Sequence, residues 1–379
     1  MTNPSLGPLT HERILLVAEY YPIGGTRTYV KQLLDFYHRM GASVTLVTTM
    51  NEPDPEVEQL SSDLGFTLLT YSGIAQAPKP SVWSSRCFAR ERHAFRAFAR
   101  AHRFTRVVVS AGTPGLLLGA LHAKPNGLYI LHTYPHGRRQ KFLAGPYLSR
   151  RLPRQSQLVC VSQFQRKIVE KLWRTHQRGV QVATVVNTCG PEIATSTELP
   201  TQHPLQVITA AMVEHYKQPL QWIEIAAQVS QQVGRDRVRF VWLGDGSLLE
   251  TARKEAANVL HLADIHFPGR IGSPEGFYST SQIYFQYSTI ENMSIAVIDA
   301  LRYGLPSVVT NVGALPEIVS DDLQGFLVSS HVKQEAVTAL QILIENGAKR
   351  SELSTHAKRR YHLKFRQEIW DMEILRLHQ

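Results

Sequence analysis

Short apolar segments alternate with amphipathic helical patterns along the chain, and this alternation constrains the fold most strongly. The first fifty residues contain two predicted strands, Arg13–Glu19 and Ser43–Thr48, with a helical pattern from Tyr29 to Tyr37 between them. Such a unit is typical of a parallel sheet, because parallel strands need a crossover connection between them. Further apolar strand segments follow at 106–110, 127–131 and 157–161. The pattern therefore predicts a doubly wound α/β domain in the first half of the chain.

A second alternating series follows a polar, proline-containing segment at 185–204, which we interpret as a linker. Its predicted strands are 205–210, 238–243, 265–267, 282–285 and 306–310. A chain of 379 residues is also too long for one ordinary core. We therefore predict an α/β protein with two Rossmann-like domains that face a central cleft. The expected domains are residues 1–190, completed by a C-terminal helix at 362–379, and residues 205–361.

Composition excludes several classes of protein. With 43% hydrophobic and 19% charged residues, the chain has the balance of a globular protein. It contains no apolar segment of the roughly 20 residues that a bilayer requires, and its first residues lack a signal pattern, so we expect a cytoplasmic location. Cys87, Cys160 and Cys189 are odd in number and lack metal-ligand spacing. They are expected to be reduced thiols, and no metal site is predicted.

Positive charge is concentrated in the first half of the chain. Residues 1–190 contain 24 Lys and Arg against 10 Asp and Glu, or +14, whereas the remainder has 17 against 21, or −4. Within the segment 79–178 there are 20 basic residues and only two acidic ones. Such an imbalance exceeds ordinary surface mixing and indicates an anionic partner for this part of the chain.

Three interpretations of this basic region remain open. The segment 84–103 places Phe88, Phe95 and Phe98 on one helical stripe, as expected for a helix that packs on the sheet with a solvated basic face. Alternatively, this helix and the basic segments at 138–141 and 150–154 form a peripheral surface for an anionic membrane. Nucleic-acid binding is disfavoured, because the aromatic residues fall on the presumed core stripe and no binding module is evident.

Two carboxylates, Glu291 and Asp299, lie eight positions apart in an otherwise apolar segment that continues to Gly304-Leu-Pro306. They follow the predicted strand at 282–285 and lie beside or within a predicted helix at 294–303. Backbone N–H groups at the start of that helix can bind a phosphate, and the two carboxylates can accept hydrogen bonds from hydroxyls of the same ligand. A sugar nucleotide offers both groups. Alternatively, Glu291 is a solvated loop residue and Asp299 is a charge on the helix surface, without a ligand.

On these residues the chain resembles the retaining glycosyltransferases of the GT-B fold, family four. The resemblance extends over nearly the whole chain, because further motifs occur in the family's order and spacing. These are Pro22-Ile-Gly24-Gly25, Leu131-His132-Thr133, Val161-Ser162-Gln163, Gly244-Asp245-Gly246, Phe267-Pro-Gly269-Arg270-Ile271 and Gly313-Ala-Leu-Pro-Glu317.

The resemblance implies transfer of a sugar from a nucleotide-sugar donor to a glycan, lipid-linked or small-molecule hydroxyl. The donor is then a co-substrate; no metal or cofactor is required, although magnesium is compatible with such a site. The leaving phosphate is expected to deprotonate the incoming hydroxyl on the same face of the sugar. Residues implied in catalysis are His132, Lys217 and Glu291. Residues implied in donor binding are Gly24, Gly25, Gly244, Arg270, Ile271, Asn292, Met293, Ser294 and Asp299, the last on the ribose hydroxyls.

The sequence departs from the family pattern at two places. Asp299 is one methylene shorter than the usual Glu, and Ala210 or Ala211 stands where the family has an arginine that clamps the diphosphate. Of the two expected cations only Lys217 remains, and a lost guanidinium removes a fork-shaped donor. A GT-B protein that has lost transfer activity and serves as a partner subunit is therefore an alternative function, ahead of nucleic-acid binding.

Overall fold

The chain divides into two units, one formed by residues 1–186 with 373–379 and the other by residues 187–372. A computed structural model describes residues 7–20, 24–50, 52, 54–77, 79–81, 84–138, 140–193, 199–200 and 203–379. Each unit is a parallel sheet with helices, so the predicted α/β class is confirmed. Among the described residues, no helix is both long and apolar enough to cross a membrane.

The first unit contains a seven-stranded sheet in the order β3-β2-β1-β4-β5-β6-β7. All of its strand pairs are parallel. Its strands are β1 Arg13–Ala18, β2 Ser43–Thr48, β3 Thr67–Thr70, β4 Arg106–Ala111, β5 Leu128–Leu131, β6 Gln157–Cys160 and β7 Gln181–Thr184. Its helices are α1 Gly25–Arg39, α2 Pro55–Leu64, α3 Tyr71–Ala75, α4 Ser85–Ala101, α5 Gly145–Arg151 and α6 Gln163–Trp173.

Helices α3 to α6 pack on one face of this sheet. Strands β4 and β5 are buried along their whole length, as expected for central strands covered on both faces. The α4 residues Phe95 and Ala99 join a core cluster with Leu148 of α5 and Trp173 of α6. Phe95 is therefore a core residue, whereas the membrane-binding interpretation of the basic region stays a prediction.

The C-terminal residues pack within the first unit. Arg106 donates from Nη1 to the carbonyl of Leu377 at 2.9 Å and from Nη2 to that of His378 at 3.0 Å. The Tyr37 hydroxyl lies 3.1 Å from Nε2 of His378. In place of one predicted helix at 362–379, the structure has two helices, α13 Gly347–Lys364 and α14 Gln367–Arg376.

The second unit contains a six-stranded parallel sheet in the order β10-β9-β8-β11-β12-β13. Its strands are β8 Leu205–Ala210, β9 Val238–Leu243, β10 Asp264–Gly269, β11 Ile283–Gln286, β12 Ser307–Thr310 and β13 Gly325–Val328. The remaining helices are α7 Pro219–Val233, α8 Leu249–Asn258, α9 Glu275–Thr280, α10 Ile295–Arg302, α11 Leu315–Ile318, α12 Lys333–Glu345, α13 Gly347–Lys364 and α14.

The first part of the predicted linker is hydrogen-bonded to other residues of the second unit. Asn187 donates from Nδ2 to the carbonyl of Met293 at 2.9 Å, and Thr188 donates from Oγ1 to the carbonyl of Phe365 at 2.7 Å. Residues 187–193 are thus packed against the second unit, whereas 194–198 and 201–202 lie outside the described residues.

Candidate active site

Glu291 lies in the loop that leads from β11 to α10, at the carboxyl ends of the parallel strands of the second unit. Its side chain is only 9% exposed. The carboxylate accepts hydrogen bonds from Nε2 of Gln286 at 2.7 Å and from Oγ of Ser288 at 3.2 Å, and it forms an ion pair with Lys217. Because a buried charge is costly unless it is paired and hydrogen-bonded, these partners explain how the carboxylate is kept there.

Lys217 reaches Glu291 from a different part of the sheet. It ends a short 3₁₀ turn, His215–Lys217, between β8 and α7, and it is buried. The carbonyl of Tyr216 accepts the N–H of Thr289 at 2.8 Å, which ties this turn to the Glu291 loop. The ammonium group also lies 5.4 Å from the centroid of the Tyr216 ring. The ion pair is therefore fixed through the backbone as well as through the side chains.

Gly313 fixes the backbone of Glu291 from the other side. It has a φ of +60°, and a Cβ atom at this position would overlap the carbonyl oxygen of Glu291. A side chain here would therefore displace the loop that carries the carboxylate. This close approach explains why the glycine of the Gly313-Ala-Leu-Pro-Glu317 motif lies at that spacing from Glu291.

The amino end of α10 adjoins Glu291. Ser294 is the N-cap residue, and its side chain makes no capping hydrogen bond, while the first turn of the helix contains no acidic residue. The helix begins at Ile295, one residue later than predicted, so its first-turn N–H groups are those of Ile295 to Val297. Asn292 and Met293 belong to the preceding loop. Helix geometry thus leaves N–H groups and a positive dipole end beside an ion pair, a combination suited to an anionic oxygen.

Asp299 has partners within its own unit. Nη2 of Arg302 donates to its Oδ1 at 2.7 Å, and the thiol of Cys189 also donates to the carboxylate. Nη1 of Arg302 donates to the carbonyl of Pro191 at 2.9 Å. Burial raises the pKa of Asp299 to about 6, although Arg302 and Cys189 partly oppose the shift. The carboxylate therefore helps to hold residues 189–191 against α10, and its contact with ribose stays a prediction.

The other predicted donor residues of the second unit lie at the carboxyl ends of β9 and β10. Gly244 follows β9 with a φ of +149°, and its N–H donates to the carbonyl of Gly269 at 2.9 Å. Arg270 and Ile271 follow β10, with Arg270 exposed and Ile271 half-buried. At the end of β8, the carbonyl of Ala211 accepts Nε1 of Trp242 at 2.9 Å, and neither Ala210 nor Ala211 supplies a cation.

The remaining predicted residues belong to the first unit. His132 follows β5, its Nε2 lies 2.8 Å from Oγ of Ser110, and burial lowers its pKa to about 4. The imidazole is therefore neutral at neutral pH. Gly24 precedes α1 with a φ of +103°, and Gly25 begins that helix. Pro22 and Ile23 of the same motif lie outside the described residues.

Three residues that complete these sites, Gln286, Ser288 and Arg302, are not part of the predicted set. Gln286 and Ser288 directly follow the predicted strand at 282–285, and a strand end rich in polar residues is the signal that could have identified them. Arg302 gave no signal, since a basic residue in the last turn of a helix is ordinary. Within the described part of the chain, no three His, Cys, Asp or Glu side chains cluster as metal ligands.

Sequence comparison assigns most of the chain to two described families. Residues 23–189 match the model described as Glycosyltransferase Family 4, and residues 195–360 match the model described as Glycosyl transferases group 1. A Salmonella typhi Vi polysaccharide biosynthesis protein, VipC/TviE, is 29% identical over 111 residues, or 29% of this chain and 19% of the relative. The sulfoquinovosyl transferase SQD2 of Arabidopsis thaliana is 24% identical over 141 residues, or 36% of this chain and 26% of the relative. These matches thus span about a fifth to a quarter of the curated relatives' length.

Solved structures are similar over nearly the full length. Anabaena HepE in complex with UDP-glucose superposes with a TM-score of 0.73 at 15% identity, over 97% of this chain and 99% of that chain. Staphylococcus aureus TarM, in a complex that contains UDP and α-GlcNAc-glycerol, gives 0.75 at 10% identity over 97% and 99%. A sucrose-phosphate synthase from Thermosynechococcus elongatus gives 0.74 at 16% identity over 97% and 98%. At these identities the likeness establishes the fold.

Proposed function

The chain belongs to the group 1 glycosyltransferases of family four, with the GT-B fold, and from this membership we propose that it transfers a sugar from a nucleotide-sugar donor to a hydroxyl acceptor with retention of anomeric configuration. The observation that carries the proposal is the buried Lys217–Glu291 pair beside the amino end of α10. One site there offers a cation and helix N–H groups for phosphate, and a fixed carboxylate for sugar hydroxyls.

The reaction breaks the bond between the anomeric carbon and the phosphate oxygen, so charge develops on the departing diphosphate. Donors that are already aimed at developing charge stabilise a transition state strongly, because they need no reorganisation. We assign this role to the first-turn N–H groups of α10 and to Lys217. Backbone ties at Thr289 and the close contact at Gly313 hold both the turn and the loop in place.

Recognition of the rest of the donor uses the neighbouring strand ends. Glu291 accepts hydrogen bonds from hydroxyls of the transferred sugar, because a carboxylate oriented by Gln286 and Ser288 presents its remaining lone pairs in a fixed direction. Asp299 is assigned to the ribose hydroxyls, and Arg270 with Ile271 to the base. Gly244 belongs to the same edge of the sheet.

The chemistry of the relatives suggests which donor to test first. HepE is described with UDP and glucose or with UDP-glucose, and TarM with UDP. A uridine diphosphate sugar is therefore the first candidate donor. Names such as Vi polysaccharide biosynthesis protein and sulfoquinovosyl transferase suggest a glycan or lipid-linked hydroxyl as the acceptor.

Retention follows if the incoming hydroxyl attacks the face from which the diphosphate departs, with its proton passing to a leaving phosphate oxygen. No protein nucleophile is required for this path. In the first unit, the carboxyl edge of the sheet is assigned to the acceptor. There, neutral His132, whose ring is oriented by Ser110, serves as a positioning hydrogen-bonding group and not as a charged acid.

The missing arginine at Ala210 or Ala211 favours a second candidate, a partner subunit without transfer activity. Lys217 alone supplies less charge to a diphosphate than a lysine and an arginine together. In the enzymatic proposal the amino end of α10 makes up part of this deficit. The two functions differ in turnover, so one measurement separates them.

The test incubates the full chain with UDP-, GDP-, ADP- and TDP-sugars, with and without candidate acceptors, and measures release of the nucleoside diphosphate. We expect release with one donor class, acceleration by an acceptor and, by NMR, a product with the donor's anomeric configuration. Thermal-shift titration with the free nucleoside diphosphates checks binding separately. Binding without release would support the partner-subunit function, and neither binding nor release would overturn both proposals.

A further inference from the structure

Two large apolar side chains of the first unit lie exposed next to each other. Phe142 is 68% exposed and Leu143 is 53% exposed, in a π-helical turn at Gln140–Ala144. Among the described residues of this unit, no other large hydrophobic side chain is exposed to this degree. An isolated exposed leucine is ordinary, but an adjacent aromatic and aliphatic pair on one turn indicates an interaction surface.

The turn is anchored, so the exposure is a built feature of the fold. Nε1 of Trp173 donates to the carbonyl of Gln140 at 2.9 Å, and the N–H of Lys141 donates to the carbonyl of Gly137 at 2.9 Å. Behind the pair, Ala144 is buried, and Gly145 packs so closely that a Cβ atom would lie 2.6 Å from the Trp173 side chain. The backbone therefore holds Phe142 and Leu143 outward and does not let them fold back onto the core.

Basic side chains lie on the helices next to this turn. Helices α5 and α6 both contact the turn, and they share one core cluster with its buried Ala144. Exposed basic residues on or beside these two helices are Arg138, Arg150, Lys167, Lys171, Arg174 and Arg178. The two acidic residues between 79 and 178 are Glu91, which is buried, and Glu170, which pairs with Arg166 at 2.8 Å.

We propose that this surface docks on an anionic phospholipid bilayer, with Phe142 and Leu143 inserted among the headgroups and the basic side chains held against the lipid phosphates. Two exposed apolar side chains with basic side chains nearby match an anionic bilayer, whose headgroups are negatively charged and whose interior is apolar. A nucleic-acid backbone would match the charge, but the aliphatic side chain of Leu143 offers no aromatic ring on which a base could stack. Bases also stack on series of aromatics, and Phe142 is the single exposed one in the described part of this unit.

The π-helical turn follows β5, the strand that also leads into His132. Docking would therefore bring the carboxyl edge of this sheet towards the lipid headgroups, where a lipid-linked hydroxyl would be found. Membrane docking itself does not depend on transfer activity, so a failure of one proposal is distinguishable from a failure of the other.

The experiment is vesicle co-sedimentation of the full chain, with vesicles of phosphatidylcholine alone and of phosphatidylcholine with phosphatidylglycerol. We expect binding to the anionic vesicles and little to the neutral ones. The double substitution Phe142→Ser and Leu143→Ser should lower the partition coefficient by about tenfold or more, because the apolar contribution is lost while the charge remains. The matched control is Leu363→Ser, an equally exposed apolar residue of the second unit, which should leave binding unchanged.

Raising the salt concentration separates the two contributions, because screening weakens attraction to the phosphates but not apolar insertion. Residual binding at high salt should be present in the wild-type protein and absent in the double variant. Two results would overturn the proposal: no binding to anionic vesicles, or equal binding by the double variant. Single-stranded RNA that is bound by the wild-type protein without any binding to anionic vesicles would instead assign the surface to nucleic acid.

Discussion

Glu291 and Asp299 belong to one motif and are eight residues apart, yet their surroundings differ in kind. Partners of Glu291 come from separate elements: Lys217 from a turn after β8, and Gln286 and Ser288 from the end of β11. Asp299 pairs with Arg302 on its own helix and with the thiol of Cys189. One carboxylate is surrounded by donors from the edge of the sheet, and the other ties two chain segments together.

This difference shows that motif spacing alone does not assign equal roles to its two acids. Glu291 is a buried carboxylate with three polar partners, and one of them is the cation Lys217 from a turn distant in sequence. Such an arrangement is typical of a functional site. Burial raises the pKa of Asp299 to about 6, and its closest cation is also bonded to a backbone carbonyl. We therefore expect loss of Glu291 to impair turnover far more than loss of Asp299.

The largest expected effect is that of Glu291→Ala on transfer. Turnover should fall by about a hundredfold or more, because the interaction with the transferred sugar would be lost where the reaction occurs. The variant should remain folded, as judged by its circular dichroism spectrum and by urea titration. Initial rates with the active donor give the measurement.

A matched control for this change is Glu345→Ala, an exposed carboxylate at the end of α12. It should leave the rate within twofold or so of the wild type, as expected for an exposed surface position. Near-normal turnover of a folded Glu291→Ala protein would contradict the assignment of Glu291. The expected difference between Glu291 and Asp299 in their importance for turnover would then be lost.

A second, smaller effect is expected from the coupling between Lys217 and Glu291. Lys217→Met should lower turnover by about ten- to a hundredfold, because it removes a cation from the departing diphosphate and leaves the buried Glu291 carboxylate without its ion pair. The double substitution should cost much less than the product of the two single effects, because residues in contact are not additive.

The measurement is a double-mutant cycle on initial rates, with Lys217→Arg as the variant that keeps the charge. Partial retention of activity by the arginine variant is expected. Independent, multiplicative effects would show that Lys217 and Glu291 act separately, and the ion pair would then be structural only.

Much of the fold was predictable from the sequence, because central parallel strands are buried on both faces and appear as continuous apolar runs. Strands β2, β8 and β9 have the predicted bounds. The predicted strands do not include β3, β7 and β13, which have four residues each and are not buried throughout. Short edge strands bury little apolar surface, so their sequence signal is weak.

Prediction of the site was less complete, for a physical reason. The sequence placed Glu291, Asp299 and the helix start together because they lie close along the chain. The sequence could not reveal that Arg302 and Cys189 donate hydrogen bonds to Asp299. Cys189 is distant from Asp299 in sequence and lies in a segment interpreted as a linker. The same limit applied to Phe142 and Leu143, whose exposure depends on packing behind the turn.

The smallest expected effect is the pH dependence of stability that Asp299 imposes. Its pKa is raised from an ordinary value of 3.8 to about 6 in the folded protein. Between these values the folded state binds more protons than the unfolded state, so this group's contribution to stability is present below about pH 4 and is lost as the pH rises through 6. The loss amounts to on the order of 3 kcal/mol.

Asp299→Asn removes this titration, so the difference in unfolding free energy between the variant and the wild type should shift in the variant's favour as the pH rises from 4 to 7. Urea titrations at several pH values measure this difference, and subtraction removes groups that titrate in both proteins, such as His132. The absolute stability of the variant can fall, because Arg302 and Cys189 lose an ionised partner, but the sign of the slope does not depend on that cost. A difference that is flat with pH would place Asp299 in ordinary solvent contact, and the contrast with Glu291 would then have to rest on their hydrogen-bond partners alone.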